Sequence, residues 1–321
     1  LYHDRMTAPL PPKPDPRPDK VSLWRYFRLF RADILSAQPA RLYRAWMAEF
    51  RTPFFRSFLC NDPALVARVL KERPMDFPKS DRLREGLAPL LRDSVFLTNG
   101  ETWLRQRRII DPAFEGGRLR DTFPAMWAAG QACVTRLRTK IGPEPIEIES
   151  ETSHAAADVI FRTLFSIPIG DATASAVFHE FRRHQNASPV VNLPRFHSRA
   201  TKRTAARIRA LIERLTATRA AEIAAGSAPD DLATKIMTTA DPVTGACFET
   251  AEMVDQVAIF FLAGHETSAS ALAWSLYLLA QNPDWQDRIA AEAEAVLGAE
   301  TPSFSILNRL KLGRAVFREA M

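Results

Sequence analysis

The sequence predicts a mainly α protein with a small β portion. Two observations carry that expectation. One long apolar run, Val257 to Ala280, lies between helix-start and helix-stop residues, and β-like patterning is confined to brief patches near Phe54–Leu59 and Ile146–Ile148. The chain has 321 residues, of which 46% are apolar and 25% charged. Those are ordinary globular values and exclude collagen-like, low-complexity and largely disordered architectures.

The elements follow in order. Residues 1–20 form a Pro-rich extended leader, with prolines at 9, 11, 12, 14, 16 and 18 and a possible natural start at Met6. Residues 21–321 read as a single domain, because no linker divides them. Val21 to Phe50 reads as helical, with Trp24, Phe27, Tyr43 and Trp46 on it. Phe54 to Leu59 reads as a strand. Asp62 is a natural N-cap and Pro63 suits the first helical position, so a helix runs to about Glu72 and stops before Pro74.

Met75 to Asn99, with Pro78, Gly86 and Pro89, reads as irregular. Asn99-Gly100 is a turn, followed by a helix from Glu101 to Ile110 that Pro112 ends. Further helices are expected over 122–140, 154–165, 171–185, 199–225 and 283–297, with a brief strand at Ile146–Ile148 and a short tail after 297.

The longest helix is expected from Ala251 to Gln281, roughly 46 Å at the usual rise. Thr250 reads as its cap, Glu252 and Asp255 suit the positive end of its dipole, and Asn282-Pro283 stops it. It is apolar nearly all round, so it is either buried in a large protein or spans a membrane. The polar cluster Gly264-His265-Glu266-Thr267-Ser268 at its centre favours burial, because an ionisable group is costly in lipid.

That cluster carries the candidate chemistry. Ala263 and Gly264 leave a shallow notch where a flat ligand can approach. Thr267 lies four residues from Ala263, so its hydroxyl can bond back to that carbonyl, loosening the ladder and admitting water. Glu266 beside it makes an acid–hydroxyl pair suited to a proton relay. A polar seam at a helix–helix contact remains an equal alternative on the residues alone. Zinc hydrolysis would need histidine at 269, which is alanine.

Net charge is +6, from 43 basic and 37 acidic residues, which falls short of a nucleic-acid signature. Between Arg195 and Arg219 there are eight Lys or Arg and one acid, Glu213, read as a solvated helical face. Cys60, Cys133 and Cys247 are too scattered for a disulfide framework or zinc site and point to a reducing, cytoplasmic compartment.

The segment FFLAGHETSASALAWSLYLLAQNP resembles the central helix of the cytochrome P450 haem-thiolate monooxygenases, whose motif A-G-x-[DE]-T is filled by Ala263, Gly264, Glu266 and Thr267. Trp103 and Arg107, followed by Pro112-Ala113-Phe114, are similar to the family's W-x-x-x-R helix and P-x-F. DPALVARVLKERPMDFPK, ADVIFRTLFSIP and LKLGRAVFREAM fit the same order, so the likeness runs from about residue 50 to the last residue.

The resemblance implies the cytochrome P450 fold, incomplete at its C-terminus, and a haem b cofactor. Trp103 and Arg107 would grip a haem propionate, with Phe114, Phe260, Ala263, Gly264 and Ser268 as further haem-side contacts. Glu266 and Thr267 would deliver protons to dioxygen. Ser94, Val95 and Ala263 would border the pocket of an apolar substrate, fatty-acid-like by the look of the helix.

Electrons would come from NAD(P)H through a ferredoxin or a flavoprotein reductase, with no nucleic acid and no transmembrane anchor. The family's E-x-x-R would use Glu319 and a residue 322, and none of the three cysteines has the setting of the thiolate ligand. The axial cysteine is therefore expected beyond Met321, and residues 1–321 alone are expected to be inactive. The alternative is a non-catalytic helical binding protein that retains the fold without haem.

Overall fold

The computed structural model describes residues 15–51, 56–115, 117–187, 198–298 and 302–321. Among these the protein is mostly helical with one two-stranded sheet, as expected. The chain divides into two compact units, one spanning Pro9–Ser80 and the other built from Asp81–Ser188 and Pro194–Met321.

In the smaller unit, α1 is Leu23–Ala32 only. The expected helix to Phe50 breaks because Asp33 turns extended and its carboxylate accepts from the backbone N–H groups of Leu35 and Ser36. An aspartate that satisfies local N–H groups in this way competes with the helix ladder. The chain then forms β1 (Met47–Arg51), which pairs antiparallel with β2 (Arg56–Cys60), Met47 opposite Cys60. The strand was foreseen at 54–59 but its partner was not. The start of that expected strand and the first fourteen residues of the leader lie outside the described residues. Asp62 caps α2 (Pro63–Ala67) by accepting from Leu65 N at 2.9 Å, and a π-helical turn carries the segment to Glu72.

The larger unit holds the candidate site. The stretch expected to be irregular contains α3 (Asp81–Leu91), with Pro89 inside its last turn. Arg92 then adopts φ 39°, a left-handed end that releases the chain into a loop. Gly100, at φ 60°, starts α4 (Gly100–Ile110), and a 3-10 turn at Asp111–Ala113 follows where Pro112 falls. Then come α5 (Arg118–Arg138) and α6 (Ile148–Phe165). Ile148 opens this helix, so the brief strand at 146–148 is not formed. Ser166, at φ 59°, ends α6 before Pro168.

Next are α7 (Ala172–Ala187), α8 (Arg199–Ala224) and an unforeseen short α9 (Leu232–Thr238), capped by Asp231. The long helix α10 runs Thr250–Gln281. Its N-cap is Glu249 rather than Thr250, and Glu252 reaches back to accept from Glu249 N at 2.9 Å. This reciprocal arrangement satisfies N–H groups that the first turn leaves open. Helices α11 (Pro283–Val296) and α12 (Lys311–Ala320) follow; residue patterning suggested only a short tail after 297, whereas the likeness of LKLGRAVFREAM to the start of a family helix agrees with α12.

The core forms where α6, α7 and α8 pack on the first half of α10. Phe161, Phe181 and Phe261 are essentially fully buried, with the Phe181 and Phe261 rings 4.4 Å apart. Gly264 permits this approach: a Cβ there would stand 3.1 Å from Ile160 Cδ1 on α6. Among the described residues no helix is long and apolar enough to cross a membrane.

The basic stretch is not wholly a solvated face. Arg209 and Arg219 on α8 are buried: Arg209 pairs with Asp255 at 2.6 Å, and Arg219 pairs with Asp231 and donates to Phe165 O at 2.8 Å. Two cations inside a helix pair are tolerable only because each is fully partnered.

Candidate active site

The site is built along α10. Residues 252, 256, 260, 263 and 267 are spaced by four or three, so they form one stripe along the helix. Each holds or exposes something different.

Glu252 accepts from Arg105 of α4 through both oxygens, at 2.6 and 3.2 Å. Gln256 is fully buried and its Oε1 accepts from Val95 N at 2.9 Å. Phe260 meets Phe114 edge-on, with ring centroids 5.8 Å apart. Ala263 and Thr267 are exposed among the described residues. Thr267 Oγ1 donates to Ala263 O at 2.7 Å, the back-bond expected from their spacing.

Glu266 and Ser268, also exposed, flank Thr267. The amide of Gln185, on α7, donates to Glu266 Oε1. The motif's other members turn inward. Gly264 faces Ile160 rather than the open side, so its missing side chain is explained by helix–helix approach. His265 is buried, with Nε2 2.7 Å from Ser153 Oγ of α6, and it stacks on Phe261. Burial, reinforced by the charge of Arg182, pushes the His265 pKa down to about 4, so the ring is neutral.

The three arginines of α4 divide by role. Arg105 is taken by Glu252, by the carbonyl of Cys247 and by the ring of Phe248. Arg108 binds Asp241 at 2.6 and 3.2 Å and Glu101 at 3.0 Å. The Arg108 hydrogen bond holds the carboxyl of Asp241 well below the usual carboxylate range, and Asp241 in turn raises Arg108. Arg107 differs. It lies over the ring of Trp103, 5.8 Å from its centroid, and its ion pair is with Asp111 one turn on, both side chains remaining substantially exposed. Of the three, Arg107 is the guanidinium not committed to distant parts of the fold. A planar cation backed by an indole suits a carboxylate-bearing ligand.

The segment expected to border a substrate pocket is more buried than its composition implied. Ser94 is fully buried with Oγ unpartnered, Val95 is half-buried against the core, and Leu97 is buried. Phe96, 43% exposed, is the large side chain this loop leaves open.

Sequence reasoning missed the residues that hold the loop, chiefly Asp255, Gln256, Arg209 and Gln106. The signal was present: three polar residues at 252, 255 and 256 share one side of an otherwise apolar helix. Their role is pairing rather than service to the dipole alone. Among the described residues no group of His, Cys, Asp and Glu is arranged to hold a metal ion.

The open face of α10 thus carries an acid–hydroxyl pair with the Phe260–Phe114 ring contact beside it, and α4 carries a guanidinium whose ion pair is local and exposed. The profile of the cytochrome P450 family matches residues 48–321, and the chain belongs to that family. Among curated proteins it is 32% identical, over 94% of this chain and 64% of the relative, to cyclooctat-9-en-7-ol 5-monooxygenase of Streptomyces melanosporofaciens. It is 28% identical to cyclooctatin synthase of the same organism, over 82% of this chain and 58% of the relative. It is 29% identical to cytokinin hydroxylase of Arabidopsis thaliana, over 82% and 54% respectively. The chain thus spans about half to two thirds of the length of these relatives.

Proposed function

We propose that these residues form the distal half of a haem monooxygenase that hydroxylates an apolar substrate. The observation that carries this reading is the stripe on α10, where the Thr267 hydroxyl is anchored on Ala263 O with Glu266 beside it on an open apolar face. When bound, haem b supplies the iron that activates O2, with electrons from NAD(P)H through a ferredoxin or flavoprotein reductase. The thiolate ligand comes from outside residues 1–321, and these residues alone are inactive.

The residues present fit that group. Arg107 and Trp103 would hold a propionate by charge-assisted and indole N–H hydrogen bonds, the guanidinium sharing its exposed pair with Asp111. Phe114, Phe260 and Ala263 exclude water from the face, with Ser268 at its edge. Gly264 contributes by letting α10 sit close to α6. Because Thr267 Oγ1 donates to Ala263 O, its lone pairs are left to accept from a donor on the open side. Glu266 is the proton source, and Gln185 orients its carboxylate. Ser94 and Val95 shape the substrate side through their backbone. Three scattered cysteines without a disulfide pattern support a reducing, cytoplasmic setting.

The test is Thr267→Ala in the full-length holoenzyme. Loss of the hydroxyl should lower product formed per NAD(P)H consumed by tenfold or more, on the order of a general acid–base contribution. Undiminished coupling would remove Thr267 from the mechanism. A linear fatty acid and cyclooctat-9-en-7-ol, the latter from the name of the 32% identical relative, are the two substrates to compare.

A further inference from the structure

The loop between α3 and α4 is held to α10 by a buried polar clamp that the proposed chemistry does not use. Asp255 Oδ2 accepts from Asp93 N at 3.1 Å, and Gln256 Oε1 accepts from Val95 N at 2.9 Å. From α4, Gln106 Nε2 donates to Asp93 O at 2.6 Å, and its Oε1 accepts from Thr98 Oγ1 at 2.5 Å. From α8, Arg209 bridges Asp255 at 2.6 Å and Leu90 O at 2.9 Å. All four residues are at most 8% exposed. Two helices, α10 and α4, therefore hold residues 93–98, and α8 braces the arrangement through Asp255 and the last turn of α3.

Backbone groups rather than loop side chains receive most of these bonds, so the clamp fixes the path of the chain. Gln256 lies seven residues before Ala263, two helical turns or roughly 10 Å along the same stripe. The loop is thus tied to the line of α10 that becomes the open face. It is also the stretch whose Phe96 side chain is left exposed.

We propose that Asp255 and Gln256 are positioning residues that set ligand selectivity by fixing the backbone of residues 93–97 beside the open face of α10. The proposal rests on the haem-monooxygenase reading of that face. A loop held at both Asp93 and Val95 presents one outline to a bound ligand; a loop released at Val95 presents several. Selectivity against bulk is then a property of α10 residues that never touch the ligand.

Gln256→Met tests it cleanly. The Gln256 Nε2 has no partner, so the substitution removes an already unsatisfied donor along with the acceptor for Val95 N. Two readouts are taken on the full-length holoenzyme: amide hydrogen exchange of residues 93–98, and the ratio of Kd values for phenylimidazole and imidazole from their haem difference spectra. Exchange reports release of the loop without reference to haem. The ratio cancels anything that affects both azoles equally.

Gln256→Met should speed exchange of 93–98 about tenfold and change the Kd ratio about fivefold, while Gln256→Glu, which keeps an oxygen acceptor, stays within about twofold on both. Asp255→Asn should move both readouts in the same direction and serves if Gln256→Met fails to accumulate. Unchanged exchange overturns the clamp. Faster exchange with an unchanged ratio overturns the selectivity role and leaves a structural one. No azole spectrum from the wild-type holoenzyme would instead overturn the haem reading and, with it, the selectivity role.

Discussion

His265 of α10 and Ser153 of α6 meet across 2.7 Å, imidazole Nε2 to hydroxyl Oγ, inside the aromatic core. The contact ties the helix of the acid–hydroxyl pair to its main packing partner one residue before Glu266. The ring's other nitrogen, Nδ1, is buried without a partner, so a charged imidazolium there would be poorly accommodated.

This gives a pH dependence with a definite sign. The folded-state pKa of His265 lies at about 4, below its ordinary 6.5. Below 6.5 the unfolded chain takes up a proton that the folded chain refuses, so stability falls as pH drops from 6.5 to 4 and levels off below. The loss is on the order of 3 kcal/mol at full extent. Urea midpoints between pH 7 and 4 should show this component in the wild type and not in His265→Phe. Parallel curves for the two proteins would refute it.

At Gly264, a side chain must share space with Ile160, 3.1 Å from the position of the added Cβ. Gly264→Val should destabilise the protein by about 1–3 kcal/mol, as overpacking does. Ile160→Ala in the same chain should return part of that loss, giving a measurable coupling energy in a double-mutant cycle. Additive losses would mean that the two side chains do not compete.

Arg219 on α8 is buried between Asp231, Thr234 and the Phe165 carbonyl. Arg219→Met should cost about 3–5 kcal/mol in chemical denaturation, because Asp231 is left charged and unpaired in the interior. Asp231→Asn in the same chain, which removes the charge and keeps an acceptor to cap α9, should recover much of it.

Arg107 predicts the opposite pattern. Its pair with Asp111 is exposed and worth at most about 1 kcal/mol. Arg107→Ala should leave the midpoint of unfolding nearly unchanged and speed haem loss from the full-length holoenzyme, measured by transfer to apomyoglobin. Arg108→Ala, which strands buried Asp241, should instead lower the midpoint. Equal effects of the two substitutions would remove the distinction.

Several of these features were legible without coordinates because they depend on near neighbours in sequence. The cap at Asp62, the turn at Gly100, the breaks at Pro112 and Pro168, and the Thr267–Ala263 bond each rest on residues no more than four apart. The same locality misled at Val21–Phe50, where Asp33 outcompetes the helix, and at Ile148, which starts a helix instead of a strand.

The sequence by itself determined the class of protein, the position of the long helix, and the local back-bond of Thr267 to Ala263. Tertiary structure alone decided which polar residues of the long helix stay open and which are spent on packing and loop contacts. His265 and Gly264 belong to the motif by spacing, yet they face α6; Asp255 and Arg209 read as dipole partner and surface charge, yet with Gln256 they hold the chain between α3 and α4. Helical periodicity assigns a residue to a side of its own helix. What lies on that side comes from chain 46 to 162 residues away, and only packing supplies it.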